Sequence, residues 1–194
     1  MLVLIVGPSG AGKDTLLNGA RQALAADHRL RFVRRTITRP TTPDPGEEAH
    51  DSVTEQAFEA LRIAGGFALS WRAHGLHYGV PADIGVDLAD GRVVVVSVSR
   101  AVVAEAAQRF PVRVIEVTAP ADTLARRLAA RGREDAVDIA RRMSRQIDLP
   151  LPVERTTLSN DGTIEAGVRK LVTLLNRAVA DAPQSGSSDP APAE

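Results

Sequence analysis

The chain has 194 residues, a formal net charge of zero, no cysteine, and aromatic residues at 3% of the composition. That length and its 44% apolar content suffice for the core of one globular domain. The same figures exclude a disulfide scaffold, a zinc ribbon, a cysteine nucleophile and a nucleic-acid binder built on basic excess. No apolar run approaches the roughly 18 residues that cross a bilayer. No basic region precedes the apolar start either, so a cytoplasmic protein is expected. Of the 24 basic residues only Lys13 and Lys170 are lysines, and 22 are arginines.

The segment 2–6 is a short apolar run ended by Gly7-Pro8, the pattern of a strand buried on both faces. Helical periodicity follows over 15–25, with Leu16, Leu17, Ala20 and Leu24 on one stripe. Residues 31–35 read as a strand, and Pro40, Pro43 and Pro45 then exclude regular structure. Ser52-Val-Thr-Glu55 is a capping-box signature, placing a helix up to about Ala64. Segments 67–71 and 76–79 form a small hairpin, and Pro81 opens a short helix. The valine-rich 93–98 and the run 112–117 are further buried strands, and Pro120 opens an amphipathic helix. A charged segment occupies 131–145, a last strand 156–158 and a terminal helix 164–180. From Asp181 onward no apolar residue is larger than alanine, so a disordered tail is expected over 181–194. Strands alternating with helices in this way predict an α/β fold with a parallel sheet, whose ligands sit at the carboxyl ends of the strands.

Gly7-Pro8-Ser9-Gly10-Ala11-Gly12-Lys13 matches the phosphate-binding loop G-x-x-x-x-G-K, after a strand and at the opening of a helix. The glycines let successive backbone N–H groups point at phosphate oxygens, and the helix N-terminus adds partial positive charge. Lys13 would bridge the β- and γ-phosphates of ATP. The motif calls next for a serine or threonine on Mg²⁺, but Asp14 stands there and Thr15 follows. A carboxylate beside a triphosphate requires a cation between them, so Asp14 is read as a Mg²⁺ ligand. The valine strand ends Ser97-Val98-Ser99, without the carboxylate usual at that place.

The arginines gather in two places. Arg29, Arg31, Arg34, Arg35 and Arg39 lie within eleven residues free of acid, and strand alternation puts Arg35 and Arg39 on one side. Forked guanidinium groups there suit a bound phosphate. Arg126, Arg127, Arg131 and Arg133, followed by Arg141 and Arg142, flank Gly132 and suggest a lid that closes over transferring phosphates.

These motifs in this order resemble the guanylate kinase family of P-loop phosphotransferases over about residues 1–178. The likeness is carried by the loop, Thr38-Arg39, Gly46-Glu47, Tyr78-Gly79, Arg131-Gly132 with Arg142, and Asn160-Asp161. It implies a P-loop three-layer sheet over 1–180, a small acceptor-binding subdomain at about 32–80, an arginine lid at about 131–145, catalytic roles for Lys13, Arg131 and Arg142, and ATP contact by Asn160. The acids that read the base in that family are missing, and other positions depart from its pattern. Ser70 stands where a glutamate is expected, Val80 where a serine is, Thr42 where an arginine is, and Ser97 and Ser99 where two aspartates are.

The chain resembles more closely the ribose 1,5-bisphosphate phosphokinase family. Gly12-Lys-Asp-Thr15, Arg35-Thr-Ile-Thr-Arg39, Leu69-Ser-Trp71, Tyr78-Gly-Val80 and Ser99-Arg100 carry this likeness. It implies transfer of a phosphoryl group from ATP, with Mg²⁺, to a phosphorylated sugar held by Arg35, Arg39, Tyr78 and Arg100. His50, His74 and His77 border the expected acceptor site, and Trp71 is read as packing. No nucleic-acid or membrane partner is expected. Two other readings stay open on the sequence: a nucleoside-monophosphate kinase with an unusual base pocket, and a non-catalytic guanylate-kinase-like interaction module.

Overall fold

Five consecutive apolar residues form β1 (Leu2–Val6), and all five are fully buried, as a strand covered on both faces requires. The structure is a computed structural model that describes residues 1–40, 50–130 and 153–182. The expectations placed on Thr42, Gly46, Glu47, Arg131, Arg142, the lid at 131–145 and residues 183–194 lie outside the described residues. After β1 come α1 (Lys13–Ala23), β2 (Leu30–Phe32), β3 (Arg35–Ile37), β4 (His50–Ser52) and α2 (Glu55–Ile63). The hairpin β5 (Phe67–Ala73) and β6 (Leu76–Pro81) precedes α3 (Ile84–Ala89), β7 (Val93–Ser97), a 3₁₀ turn (Arg100–Val102) and α4 (Val103–Arg109). The chain continues through β8 (Val112–Thr118), α5 (Ala121–Ala130), β9 (Glu154–Ser159) and α6 (Ile164–Asp181).

The main sheet is parallel throughout, in the order β2-β7-β1-β8-β9. Its side chains alternate between two cores. Val3, Ile5, Val95, Ile115 and Val117 meet Leu16 and Leu17 of α1, Leu124 of α5 and Leu171 and Leu175 of α6. Leu2, Leu4, Val6, Val94, Val96 and Val114 meet Ile84 of α3, Val103 and Ala106 of α4, and Ala68, Leu69 and Val80 of the hairpin. Full burial of each large apolar side chain contributes about 1.5–3 kcal/mol. The second core therefore fixes a smaller four-stranded sheet, β4-β3-β6-β5, against the carboxyl end of the main one.

Several local expectations change. The strand expected at 31–35 is two strands in different sheets. Val33, 2% exposed, donates its N–H to the Val95 carbonyl, and the chain then crosses to the smaller sheet. Helix α1 begins at Lys13, because the loop itself ends in a left-handed Gly12 at the N-cap. The cap of α2 is Thr54, whose hydroxyl accepts from Ala57 N–H at 3.1 Å; the Ser52 hydroxyl instead donates to the Arg39 carbonyl at 2.6 Å. Pro81 closes β6 and does not open a helix. Helix α4 follows the i, i+3 spacing of Val103 and Ala106, a pattern too short to stand out in the sequence. Residues 181 and 182, expected to open a disordered tail, are ordered instead: Asp181 ends α6 in an ion pair with Arg113, and Ala182 is buried.

Candidate active site

The loop after β1 is shaped by backbone that only glycine adopts readily. Gly7 has φ +145°, and a Cβ there would lie 2.1 Å from the Val117 carbonyl oxygen; Gly12 has φ +87°. The loop thus lies directly on β8, and its last residue hands over to the first turn of α1. Lys13 folds back across it, donating from Nζ to the carbonyls of Gly7 at 2.8 Å and Pro8 at 3.0 Å.

A cleft of about 370 Å³ opens beside Lys13, between the main sheet and the smaller one. The loop contributes Gly7, Ser9 and Lys13; the smaller sheet contributes Arg35, Trp71, Arg72, Ala73, His74 and Tyr78; the segment after β7 contributes Ser97 to Ala101. Three of the four acceptor candidates, Arg35, Tyr78 and Arg100, are therefore gathered with Lys13, though 22 to 87 positions separate them from it in the chain. Arg39 is not among the lining residues. Strand alternation, which would have aligned it with Arg35, ends at Ile37. Among the described residues, Lys13, Arg35, Arg72 and Arg100 line the cleft and no aspartate or glutamate does, so the charge they present suits an anion.

The smaller sheet stacks its cleft-facing side chains on one another. Arg35, Tyr78 and Trp71 form a ladder across β3, β6 and β5. The Arg35 guanidinium carbon sits 5.8 Å from the Tyr78 ring centroid, and the Tyr78 and Trp71 rings stack at 5.3 Å and 7°. Trp71, read from the sequence as packing, both packs on the second core and lines the cleft. The hairpin tip is His74-Gly75, with φ of 52° and 74°, a two-residue turn that places His74 on the cleft. His77 lies against Phe58, with ring centroids 5.3 Å apart, and His50 is buried in β4. Neither lines the cleft.

On the far side of the loop, Asn160 is buried, and its Nδ2 donates to the Ala11 carbonyl at 2.7 Å. Arg127 donates to the Gly10 carbonyl at 3.5 Å and to the Asn160 carbonyl at 3.2 Å. The Asn160 amide thus helps to hold the loop through Nδ2. Asp161 is exposed, with Lys170 Nζ 4.0 Å away.

Asp14 and Thr15 occupy the first turn of α1, and neither lines the cleft. Among the described residues no group of three or more His, Cys, Asp or Glu gathers as a metal centre. One residue near the site escaped the sequence reading. Glu116, at the carboxyl end of β8, accepts from Arg100 Nη2 at 2.6 Å and lies 3.6 Å from Arg155. Its only signal was an acid inside the otherwise apolar run Val114-Ile-Glu-Val117.

Comparison with known proteins identifies the family. The chain is 49% identical over 175 residues to the ribose 1,5-bisphosphate phosphokinase PhnN of Methylobacterium radiotolerans, covering 90% of this chain and 96% of that protein. The chain belongs to the ribose 1,5-bisphosphate phosphokinase family. It is also 49% identical to the protein of the same name from Acidiphilium cryptum, over 91% of this chain and 92% of that one. A bifunctional ribose 1,5-bisphosphokinase-thymidine phosphorylase of Azorhizobium caulinodans is 46% identical over 178 residues, and there the match spans 25% of the relative's length. No family model matches the chain. Among solved structures, a guanylate kinase from Anaplasma phagocytophilum superposes with a TM-score of 0.67 at 16% identity, covering 96% of this chain and 87% of that one. A gluconokinase from Sinorhizobium meliloti 1021 gives 0.51 at 16% identity, over 92% and 93%. The fold is thus the P-loop kinase fold, and this phosphokinase family member carries it in guanylate-kinase-like form. Among the described residues no helix is long and apolar enough to cross a membrane.

Proposed function

We propose that the protein transfers the γ-phosphoryl group of ATP to the 1-phosphate of ribose 1,5-bisphosphate, giving 5-phosphoribosyl 1-diphosphate and ADP. The observation that carries this reading is one cleft in which the loop lysine meets Arg35 and Arg100, with no carboxylate among the described lining residues. A base-reading site needs hydrogen-bonding groups for the base edge, and a site built on such groups loses its selectivity without them. A doubly phosphorylated sugar needs forked cations instead. The family relatives' names agree with that chemistry.

An oxygen of the acceptor's 1-phosphate attacks the γ-phosphorus, the bond to the β,γ-bridging oxygen breaks, and ADP departs with that electron pair. No covalent enzyme intermediate or strong base is needed, because the phosphate is already a nucleophile. Lys13 neutralises charge on the transferring group, and the loop N–H groups and the N-terminus of α1 hold the β-phosphate. Arg35 and Arg100 hold the acceptor's phosphates, with the Tyr78 hydroxyl as a further donor. Arg39, Arg131 and Arg142 join this set as candidate cations, the last two from the lid that the family likeness implies.

Asp14 and Thr15 are hard oxygen donors at the end of the loop, and a carboxylate together with nucleotide phosphates is how Mg²⁺ is commonly held. They are therefore the residues that would hold it, and the ion supplies charge neutralisation on the phosphates when bound. Asp14→Ala, which leaves no side-chain oxygen at this position, should raise the half-saturating Mg²⁺ concentration about tenfold, at least as much as losing an outer-shell partner costs. A titration of initial rate against free Mg²⁺ reads this directly, and an unchanged curve removes Asp14 from the ligand set.

The function itself is tested by offering the purified protein Mg-ATP with ribose 1,5-bisphosphate, ribose 5-phosphate, GMP and AMP in parallel. The bisphosphate should have the highest kcat/KM. Faster turnover of GMP would return the protein to the nucleotide kinases, and transfer to no acceptor would identify an interaction module.

A further inference from the structure

Arg100 does not stand alone in the cleft. Its Nη2 donates to Glu116 Oε1 at 2.6 Å, and both side chains are largely buried, 17% and 14% exposed. Its Nε is buried and has no hydrogen-bond partner among the described residues. The pair joins the segment leaving β7 to the end of β8, across the end of β1, which lies between them and where Gly7 opens the loop. A carboxylate this buried is tolerated only when paired, and a long arginine holds one rotamer only when anchored. Glu116 therefore fixes one edge of the guanidinium of an arginine that also lines the cleft. Arg155, 3.6 Å from the other carboxylate oxygen and half exposed, supplies the second partner that keeps Glu116 in place.

We infer that Glu116 is the positioning residue for acceptor binding: it acts through Arg100 to set the donor geometry for the acceptor phosphate, and it touches neither substrate itself. The inference rests on the reading of Arg100 as an acceptor-phosphate ligand. Four variants test it: Arg100→Gln, Glu116→Gln, Glu116→Leu, and Arg100→Gln combined with Glu116→Gln. Glu116→Leu fills the volume and removes the anchor; Glu116→Gln keeps an accepting oxygen and removes only the charge, so a folded variant is secured.

Arg100→Gln should raise the acceptor KM about tenfold or more, the loss of one charged hydrogen-bonding group. Glu116→Leu should approach that rise and Glu116→Gln fall below it, while the KM for ATP stays within about twofold. The double variant should be no worse than Arg100→Gln, since coupled residues do not add. A merely structural Glu116 would move both KM values together with the melting temperature, and that result overturns the inference. So does an additive double variant. If Arg100→Gln leaves the acceptor KM unchanged, the reading of Arg100 fails and the inference fails with it, visibly apart from the two results before. Should the wild type prefer another phosphate acceptor, the same four KM values are measured on that acceptor.

Discussion

Lys13→Met lowers kcat by about 10²–10³-fold, the usual consequence of removing one preorganised charged donor from a transition state. The lysine is the cation at the end of the loop, and the only other lysine in the chain is Lys170, on α6. Its Nζ is held over the loop by the Gly7 and Pro8 carbonyls, and the residue lines the cleft. Methionine preserves most of the apolar stem, so the fold should be little affected, with a melting temperature within about 4 °C of wild type. Steady-state rates at saturating ATP and acceptor, together with a thermal melt, separate the two effects. A fall of less than tenfold would mean that other cations carry the charge and that Lys13 only shapes the loop.

Asp87→Ala has the opposite profile, a large loss of stability with the chemistry spared. Asp87 lies on α3 with its side chain 8% exposed, and it receives ion-pair contacts from both Arg31 of β2 and Arg92 just before β7. Arg31 also reaches Asp83 at 2.8 Å, and Arg92 reaches the His28 carbonyl at 2.9 Å. One carboxylate thus ties a helix to the edge of the main sheet at the amino ends of its strands, away from the cleft. Removing a single partner from a buried pair costs about 3–5 kcal/mol. Partial hydration of the two arginines brings the expectation to about 3 kcal/mol, or a melting temperature lower by roughly 6–12 °C for a domain of this size. Below the transition, kcat should stay within about twofold of wild type. A drop under about 3 °C would show that solvent replaces the carboxylate at little cost.

How much of this was legible in advance depends on the distance over which each feature acts. The loop was readable because its function is local: seven consecutive residues supply the turn, the N–H groups and the lysine, and the strand before and helix after are periodic enough to recognise. The central strands were readable because burial on both faces leaves an unbroken apolar run. Short elements misled. Ser52 reads as a cap from spacing alone, yet its hydroxyl is taken by the Arg39 carbonyl and Thr54 does the capping. The single strand expected over 31–35 is divided because two sheets compete for it, and that competition involves Val95 and Tyr78, far along the chain.

Composition made arginine conspicuous without saying which of the 22 mattered. By itself the sequence determined the phosphate loop, the alternating α/β order and the chemical character of the acceptor candidates, since each is written in neighbouring residues. Only the tertiary structure decided that Arg35, Tyr78 and Arg100 share one cleft with Lys13 while Arg39 does not line it, and that Asn160 holds the loop. It also disclosed Glu116 behind Arg100. Those decisions belong to strand order and to packing between two sheets, where residues many positions apart meet because apolar faces are buried together, and no local pattern encodes that meeting.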